Sequence, residues 1–342
     1  MDKDTIKVVK RLVIDLVVFL VLFALTFWFV FRGQDPEEIK GALGQADFRF
    51  ILLGVGFMMI YFTVEAWNIR SILKSFGDKI SLPKALKFTF INFFFCSISP
   101  GASGGQPMEI YYMTKEKIPG AHATLAILIQ TCGIQLAVMF LGILCMAMSP
   151  IEISGIVLTL FIVGLIINGV ALLVLALSIF SNETVRGIVN GAMKLLRKFG
   201  VKKVGEWQKG INKSLDEYAE GSKYIQSHVG EFLVAMVRSV VQMACYYLVP
   251  YCIYKSFGLS GQTIWQLFAM QSIVFMSTSG LPIPGAIGAS ESVFLSLYGM
   301  AFGAELLSSA TLLSRGVSFY LFVIVGLIIV FVNITRLRRK KK

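Results

Sequence analysis

The chain has 342 residues, 56% of them hydrophobic and only 15% charged, against roughly 25% charged in soluble domains. Its formal net charge is +12, from 32 Lys and Arg against 20 Asp and Glu. This balance excludes a soluble globular domain and points to a multi-pass helical membrane protein, because a span needs roughly 20 mostly apolar residues and several stretches supply them.

The first stretch is 12–31, "LVIDLVVFLVLFALTFWFVF". Lys3, Lys7, Lys10 and Arg11 precede it, as in a signal peptide, but "FRGQD" follows where a small-residue cleavage site would stand. It therefore reads as a retained span. Further full-length candidates are 48–67, 121–148, 154–180, 231–257 and 305–333. A weaker pair, 88–98 and 106–114, lies between the second and third, and another, 263–280 and 287–301, between the fifth and sixth. A helix-breaking turn splits each pair, and the two turns match: "PGASG" from Pro100 and "PGAIG" from Pro284 share four of five residues. At a rise of ~1.5 Å per residue the first pair is too short to cross a ~30 Å core. The length of the second pair is compatible with a re-entrant hairpin or with two full spans.

Segment 181–230 is the one sizeable polar piece. Val185, Ile188, Val189, Ala192, Leu196 and Phe199 recur at helical spacing, and Trp207, Ile211, Leu215 and Tyr218 continue the stripe. Two occupations are open to it: an amphipathic pair lying on an anionic leaflet, or a helical hairpin packed on the bundle.

Orientation follows from the basic residues. With a cytoplasmic N-terminus, segments 1–11, 68–87, 115–117, 181–230 and 335–342 all fall inside and hold 26 of the 32 Lys and Arg. Both termini are then cytoplasmic. The first hairpin opens inward and the second outward, so the unit of 48–148 recurs inverted in 231–333. The predicted fold is one all-α polytopic transmembrane domain over 1–342, with six full spans and two oppositely oriented broken-helix hairpins. Such inverted repeats bring their breaks together near the midplane, where interrupted backbone survives only if buried in protein or lining a polar cavity.

The chemistry-bearing residues gather at these breaks. Pro107 stands where a half-helix would begin, a position that tolerates its missing N–H, and Ser290 is a candidate N-cap with Glu291 in the first turn. Half-helix N-termini at the midplane carry free N–H groups and positive dipole ends that attract anions; the plainer reading is that the turns only shape the bundle. Arg315 lies near mid-depth of its span, where a charge costs at least ~2.5–3.5 kcal/mol, and Glu109 and Glu291 are its natural partners. Glu65 and Arg238 lie near the ends of their spans, within snorkelling reach of the surface. Gln130, Gln135, Asn168, Gln242 and Gln271 suit interhelical hydrogen bonding. Ser97, Ser99, Ser103, Ser277, Thr278 and Ser279 sit at the breaks, where hydroxyls can satisfy broken backbone or meet a ligand. Cys96, Cys132, Cys145, Cys245 and Cys252 lie in apolar segments without metal-ligand spacing, and His122 and His228 flank different segments. No metal or cofactor is expected, and no catalytic triad or nucleotide-binding loop is present.

"SPGASGGQPMEIYYM" (99–113), "PIPGAIGASE" (282–291) and Arg315 with Tyr320 together resemble the transmembrane domain of the lysylphosphatidylglycerol synthase/flippase family, the multiple peptide resistance factors and their stand-alone relatives. That family often has Gly where Ala286 stands. The resemblance implies a bacterial plasma-membrane protein that moves a phospholipid with a charged headgroup between leaflets, with a role in resistance to antimicrobial peptides. It also implies that Ser99, Gly101, Ser103, Gly104, Gly105, Gln106, Glu109, Pro284, Gly285, Gly288, Ser290, Glu291 and Arg315 serve the headgroup. Phosphate would bind the half-helix ends with Arg315 assisting, and the carboxylates would meet ammonium or hydroxyl groups. Bifunctional members transfer an aminoacyl group to the lipid through a soluble domain; only "TRLRRKKK" follows the last span here, so no enzyme activity is expected. The partners expected are membrane phospholipids, a separate lipid-modifying synthase and a second copy of the chain, and no nucleic acid. The competing reading is a secondary transporter of a small anion, since discontinuous helices serve that equally well.

Overall fold

A computed structural model describes residues 43–149, 151, 153–180 and 229–339, with positions 41, 183, 187, 189–191, 219 and 223 besides. The span expected at 12–31 and nearly all of the amphipathic segment at 181–230 lie outside the described residues. Every described element is helical: α1 (Phe48–Ser75), α2 (Leu82–Ile98), α3 (Gly105–Lys115), α4 (Gly120–Met148), α5 (Gly155–Phe180), α6 (Val229–Tyr247), α7 (Val249–Ser256), α8 (Ile264–Thr278), α9 (Ala289–Arg315) and α10 (Leu321–Arg339). Five helical stretches are long and apolar enough to cross a membrane.

Local chemistry sets the boundaries. Asp47 caps α1 by accepting the Arg49 N–H at 2.9 Å, and Thr263 caps α8 in a reciprocal box with Gln266. The span expected at 231–257 is interrupted at Leu248, because Pro250 has no N–H to continue the ladder. α2 begins six residues before the sequence places it, with Pro83 in its first turn.

The stretch Pro284–Asn333 is 50 residues of nearly continuous helix, which would be ~75 Å long if straight. It is not straight. Gly303, at φ 70° and ψ 165°, breaks α9 where the sequence places a turn between two segments. Twelve residues before it is Glu291 and twelve after it is Arg315, and these two side chains touch at 2.7 Å. A straight helix would hold them ~36 Å apart, so the chain folds back on itself at Gly303. A single π turn (Gly316–Tyr320) then links α9 to α10.

α2 with α3, and α8 with the first half of α9, form two helical hairpins closed by the repeated motif. Gly101 (φ 59°, ψ 28°) and Gly285 (φ 58°, ψ 13°) take the same left-handed conformation, which glycine adopts without steric cost. Ala102 (φ 55°) and Ala286 (φ 50°) follow them there. The hydrogen bonds match as well: Ser103 N–H to Pro100 C=O at 3.3 Å and Ile287 N–H to Pro284 C=O at 3.2 Å. The two turns meet, since a Cβ on Gly101 would lie 3.9 Å from the Pro282 Cα.

The packing around the hairpins is reciprocal. α2 lies against α10, and α8 against α4 and α5. Buried aromatics fill the centre, with Phe62 between Phe90 and Phe322, each at 4.7 Å. Outward, α5 exposes Ile156, Val163, Ile166, Val170, Leu173 and Leu177, an apolar stripe at helical spacing that only a hydrocarbon surround accommodates.

Candidate functional site

The second turn builds the charged centre. α9 is capped by Gly288, not Ser290, and the Glu291 carboxylate reaches back to accept the Gly288 N–H at 2.7 Å. Ser290 lies inside the helix and donates to the same carboxylate at 3.2 Å. Arg315 Nε donates to Glu291 Oε1 at 2.7 Å and Nη2 to the Gly285 carbonyl at 3.0 Å. Tyr320 adds its hydroxyl to Glu291 at 3.3 Å, and the guanidinium lies over the Phe319 ring at 4.3 Å. Pro284 and Gly285 shape the turn, and a Cβ on Gly285 would run into the Phe319 ring.

This arrangement corrects the expectation of an open anion site on α9. The positive end of that helix already holds an anion, Glu291, and Arg315 completes its neutralisation. In a low dielectric the pair is favourable only with such extra hydrogen bonds around it.

The first turn is built from hydroxyls. Ser99 Oγ accepts the Gly104 N–H at 2.8 Å and donates to the Phe95 carbonyl at 2.6 Å. Ser103 Oγ donates to Pro100 at 2.9 Å, and Gln106 Nε2 to Thr131 at 3.0 Å. Gly105 presses directly on Cys96 and Asn92 of α2. Ser99, Ser103, Gly104 and Gly105 therefore satisfy and pack the break itself, and Gln106 ties α3 to α4.

Between the turns lies a cavity of about 250 Å³. Gly101, Ala102, Gly285, Ala286, Ser290 and Arg315 line it, with Phe275 and Phe319 as apolar walls. Gln271 belongs to the same wall and its buried amide oxygen has no hydrogen-bond partner, so the interhelical role read from the sequence does not use that atom. Cys96, Tyr61 and Tyr246 also reach the wall; nothing in their local sequence marks them, because only the fold brings α1, α2 and α6 to one place.

Glu109 does not join Arg315. It is fully buried, and neither carboxylate oxygen has a hydrogen-bond partner. The reason is placement: α3 packs against α2 and α4, whereas Glu291 and Arg315 both belong to α9 and are brought together by its fold-back. Glu65 does not snorkel either: it is buried and accepts from Gln242 at 2.8 Å and Asn92 at 3.4 Å. Arg238 donates to Ser71 at 3.3 Å and covers the Trp67 ring at 5.3 Å. Among the described residues no three His, Cys, Asp or Glu side chains gather to hold a metal ion. The centre thus holds a buried cation and a buried anion, paired with each other, on the wall of a largely apolar cavity.

A UPF0104 membrane protein of Archaeoglobus fulgidus is 20% identical over 277 residues, covering 79% of this chain and 82% of that protein. The family model described as the lysylphosphatidylglycerol synthase TM region matches residues 12–326, which takes in both turns, the cavity and the Arg315–Glu291 pair. The chain is a multi-pass membrane protein that belongs to the lysylphosphatidylglycerol synthase TM-region family.

Proposed function

We propose that this protein moves a phospholipid with a charged headgroup between leaflets, with an aminoacylated phosphatidylglycerol such as lysylphosphatidylglycerol as its substrate. The observation that carries the reading is the buried Arg315–Glu291 pair on the wall of a cavity between two matched helix breaks. Separating that pair in apolar surroundings costs several kcal/mol unless each member finds a replacement. A headgroup that brings both a phosphate and an ammonium supplies both replacements at once, phosphate to Arg315 and ammonium to Glu291. A headgroup with one charge satisfies only half of the pair, so the selectivity follows from the geometry.

The two repeats, 48–148 and 231–333, enter from opposite faces and rock about the cavity, while acyl tails stay in the bilayer. The excess of Lys and Arg in 1–11, 68–87, 115–117, 181–230 and 335–342 supports cytoplasmic termini, in the bacterial plasma membrane that the family resemblance suggests. The lipid crosses chemically unchanged, so the protein acts as a transporter and not as an enzyme.

The test is a headgroup-accessibility assay in proteoliposomes containing lysylphosphatidylglycerol, with an amine reagent that cannot cross the bilayer. Wild type should label lipid beyond the outer-leaflet fraction, and folded Glu291→Gln and Arg315→Ala should not. Labelling confined to the outer leaflet, with uptake of a soluble anion into the same vesicles, would instead establish the small-anion reading. Formation of new lysyl-lipid from charged tRNA by the chain alone would overturn the non-enzymatic assignment.

A further inference from the structure

Behind the cavity wall, away from Arg315, lie two carboxylates with which no cation among the described residues is paired. Glu109 on α3 is 0% exposed and both its oxygens are buried without a hydrogen-bond partner. Glu65 on α1 is 4% exposed and is the acidic group within electrostatic reach of Glu109. Its hydrogen-bond donors are both amides. Gln242 of α6 and Asn92 of α2 donate to Glu65, and Gln130 of α4 donates to the Gln242 oxygen at 3.0 Å. The other titratable groups nearby are Cys96, which feels both carboxylates, and Tyr61, whose hydroxyl lies beside Gln242.

Five of the described cations are engaged elsewhere. Arg315 is held by Glu291 and Gly285, and Lys84 and Lys87 by Glu116. Arg70 is held by the Ile80 carbonyl, and Arg238 by Ser71 and Trp67. An ionised carboxylate with no donor and no counter-charge is among the costliest groups to bury, and neutralisation is the usual escape. Asn92, which donates to Glu65, also lies against Gly105, one turn before Glu109 on α3, and two carboxylates sharing one such interior cannot both ionise without mutual repulsion.

We infer that Glu109 and Glu65 form a proton-binding site in which Glu109 carries the proton and Glu65, held by two amide donors, carries the charge. The ligand is a single proton shared by the pair, so its titration belongs to both groups together. The site is built to report on the cavity. Cys96 and Tyr61 belong to the cavity wall, so Tyr61, Gln242 and Glu65 connect that wall to the pair. Glu109 belongs to the hairpin that carries the Gly101–Ala102 turn, whereas Glu65, Gln242 and Gln130 belong to α1, α6 and α4. Losing the proton leaves two facing negative charges and drives this hairpin away from those helices toward water. Regaining it lets the hairpin dock again. In the step itself the Glu109 O–H bond breaks, the proton leaves to water entering the cavity, and the electron pair stays on the carboxylate.

The proton site stands apart from the lipid reading, whereas its coupling to lipid movement rests on that reading, and two measurements separate them. The first is infrared spectroscopy of the purified full chain over a pH series. Wild type at neutral pH should show the carbonyl stretch of a protonated carboxylic acid shielded from water. Glu109→Gln should lack it, and Glu109→Asp should shift it if the Gln variant does not fold. Absence of the band in wild type, its persistence in Glu109→Gln, or its removal by sodium chloride, which would mark a sodium site, overturns the inference. The second is lysylphosphatidylglycerol distribution in proteoliposomes under an imposed pH difference. One proton per lipid corresponds to a factor of ~10 in distribution per pH unit, present in wild type and absent in Glu109→Gln. A band with no lipid movement leaves the proton site standing and refutes the lipid reading. Movement indifferent to the gradient refutes the coupling.

Discussion

Arg315 and Glu291 are each tolerable at depth because of the other. Removing one member of a buried pair leaves an uncompensated charge, which costs about 3–5 kcal/mol, whereas replacing both by neutral groups of similar volume is often close to neutral. Glu291→Gln retains an oxygen able to cap the Gly288 N–H, now accepted by the carboxylate at 2.7 Å, so it removes charge while sparing the cap. We expect Glu291→Gln and Arg315→Met each to lower stability in detergent micelles by several kcal/mol, and the double variant to recover most of that loss. Thermal unfolding of the four proteins measures this directly; losses that simply add in the double variant would mean the pair is not coupled. The need of Arg315 for a partner was legible in the sequence, since a lone charge in an apolar run demands one. Which of two carboxylates would serve was not, because Glu109 and Glu291 both follow a break closely and only the fold puts α3 against α2 and α4 while α9 turns back to set Arg315 on Glu291.

At the scale of elements, the first hairpin is closed at its open end by charge. Glu116, in the turn after α3, accepts from Lys84 at 3.0 Å and from Lys87, both in the opening turns of α2. Partial burial raises its carboxyl, but the hydrogen bonds and charges of Lys87 and Lys84 outweigh it and hold the group below the usual carboxylate range. A carboxyl depressed in the folded state stabilises at pH values above its unfolded value of about 4.3, and that contribution is lost as pH falls through the folded value. Glu116 is partly exposed, so about 1 kcal/mol or less is at stake. The stability difference between wild type and Glu116→Gln should therefore be largest near neutrality and vanish in acid, as melting curves across pH would record; a difference constant through the acid range would refute the assignment. The same lysines explain why α2 reads six residues short in the sequence: they look like a loop until Glu116 is beside them. The hairpins dock through small residues that hydropathy cannot distinguish. A Cβ on Gly326 of α10 would lie 2.9 Å from the Phe90 carbonyl of α2, and one on Gly164 of α5 would run into the Met276 carbonyl of α8. Such close approach is how apolar helices associate where lipid removes the hydrophobic drive.

For the whole molecule, the feature most fully legible in the sequence was the repetition of the break. Four shared residues produced the same turn twice, with the same left-handed glycine and the same cap bonds, because proline and glycine dictate backbone geometry locally. The cavity between the turns was not legible in the same way, since its walls come from α1, α2, α6, α8 and α9 together. If the repeats rock against each other during transport, their meeting point must part, and the contact of Gly101 with Pro282 is where that shows first. A thiol cross-link between Ala102→Cys and Pro282→Cys, in a Cys96→Ser background so that no native thiol of the cavity wall competes, tests this. Cross-linked protein should still retain lipid through purification but should no longer move lysylphosphatidylglycerol in vesicles, and reduction of the link should restore movement. Retained lipid shows that the site survives the bridge, so lost movement then reports on motion and not on binding. Undiminished movement in the bridged protein would mean that the turns stay together throughout the cycle, and the access change would have to come from the outer helices closing over a fixed pair of breaks.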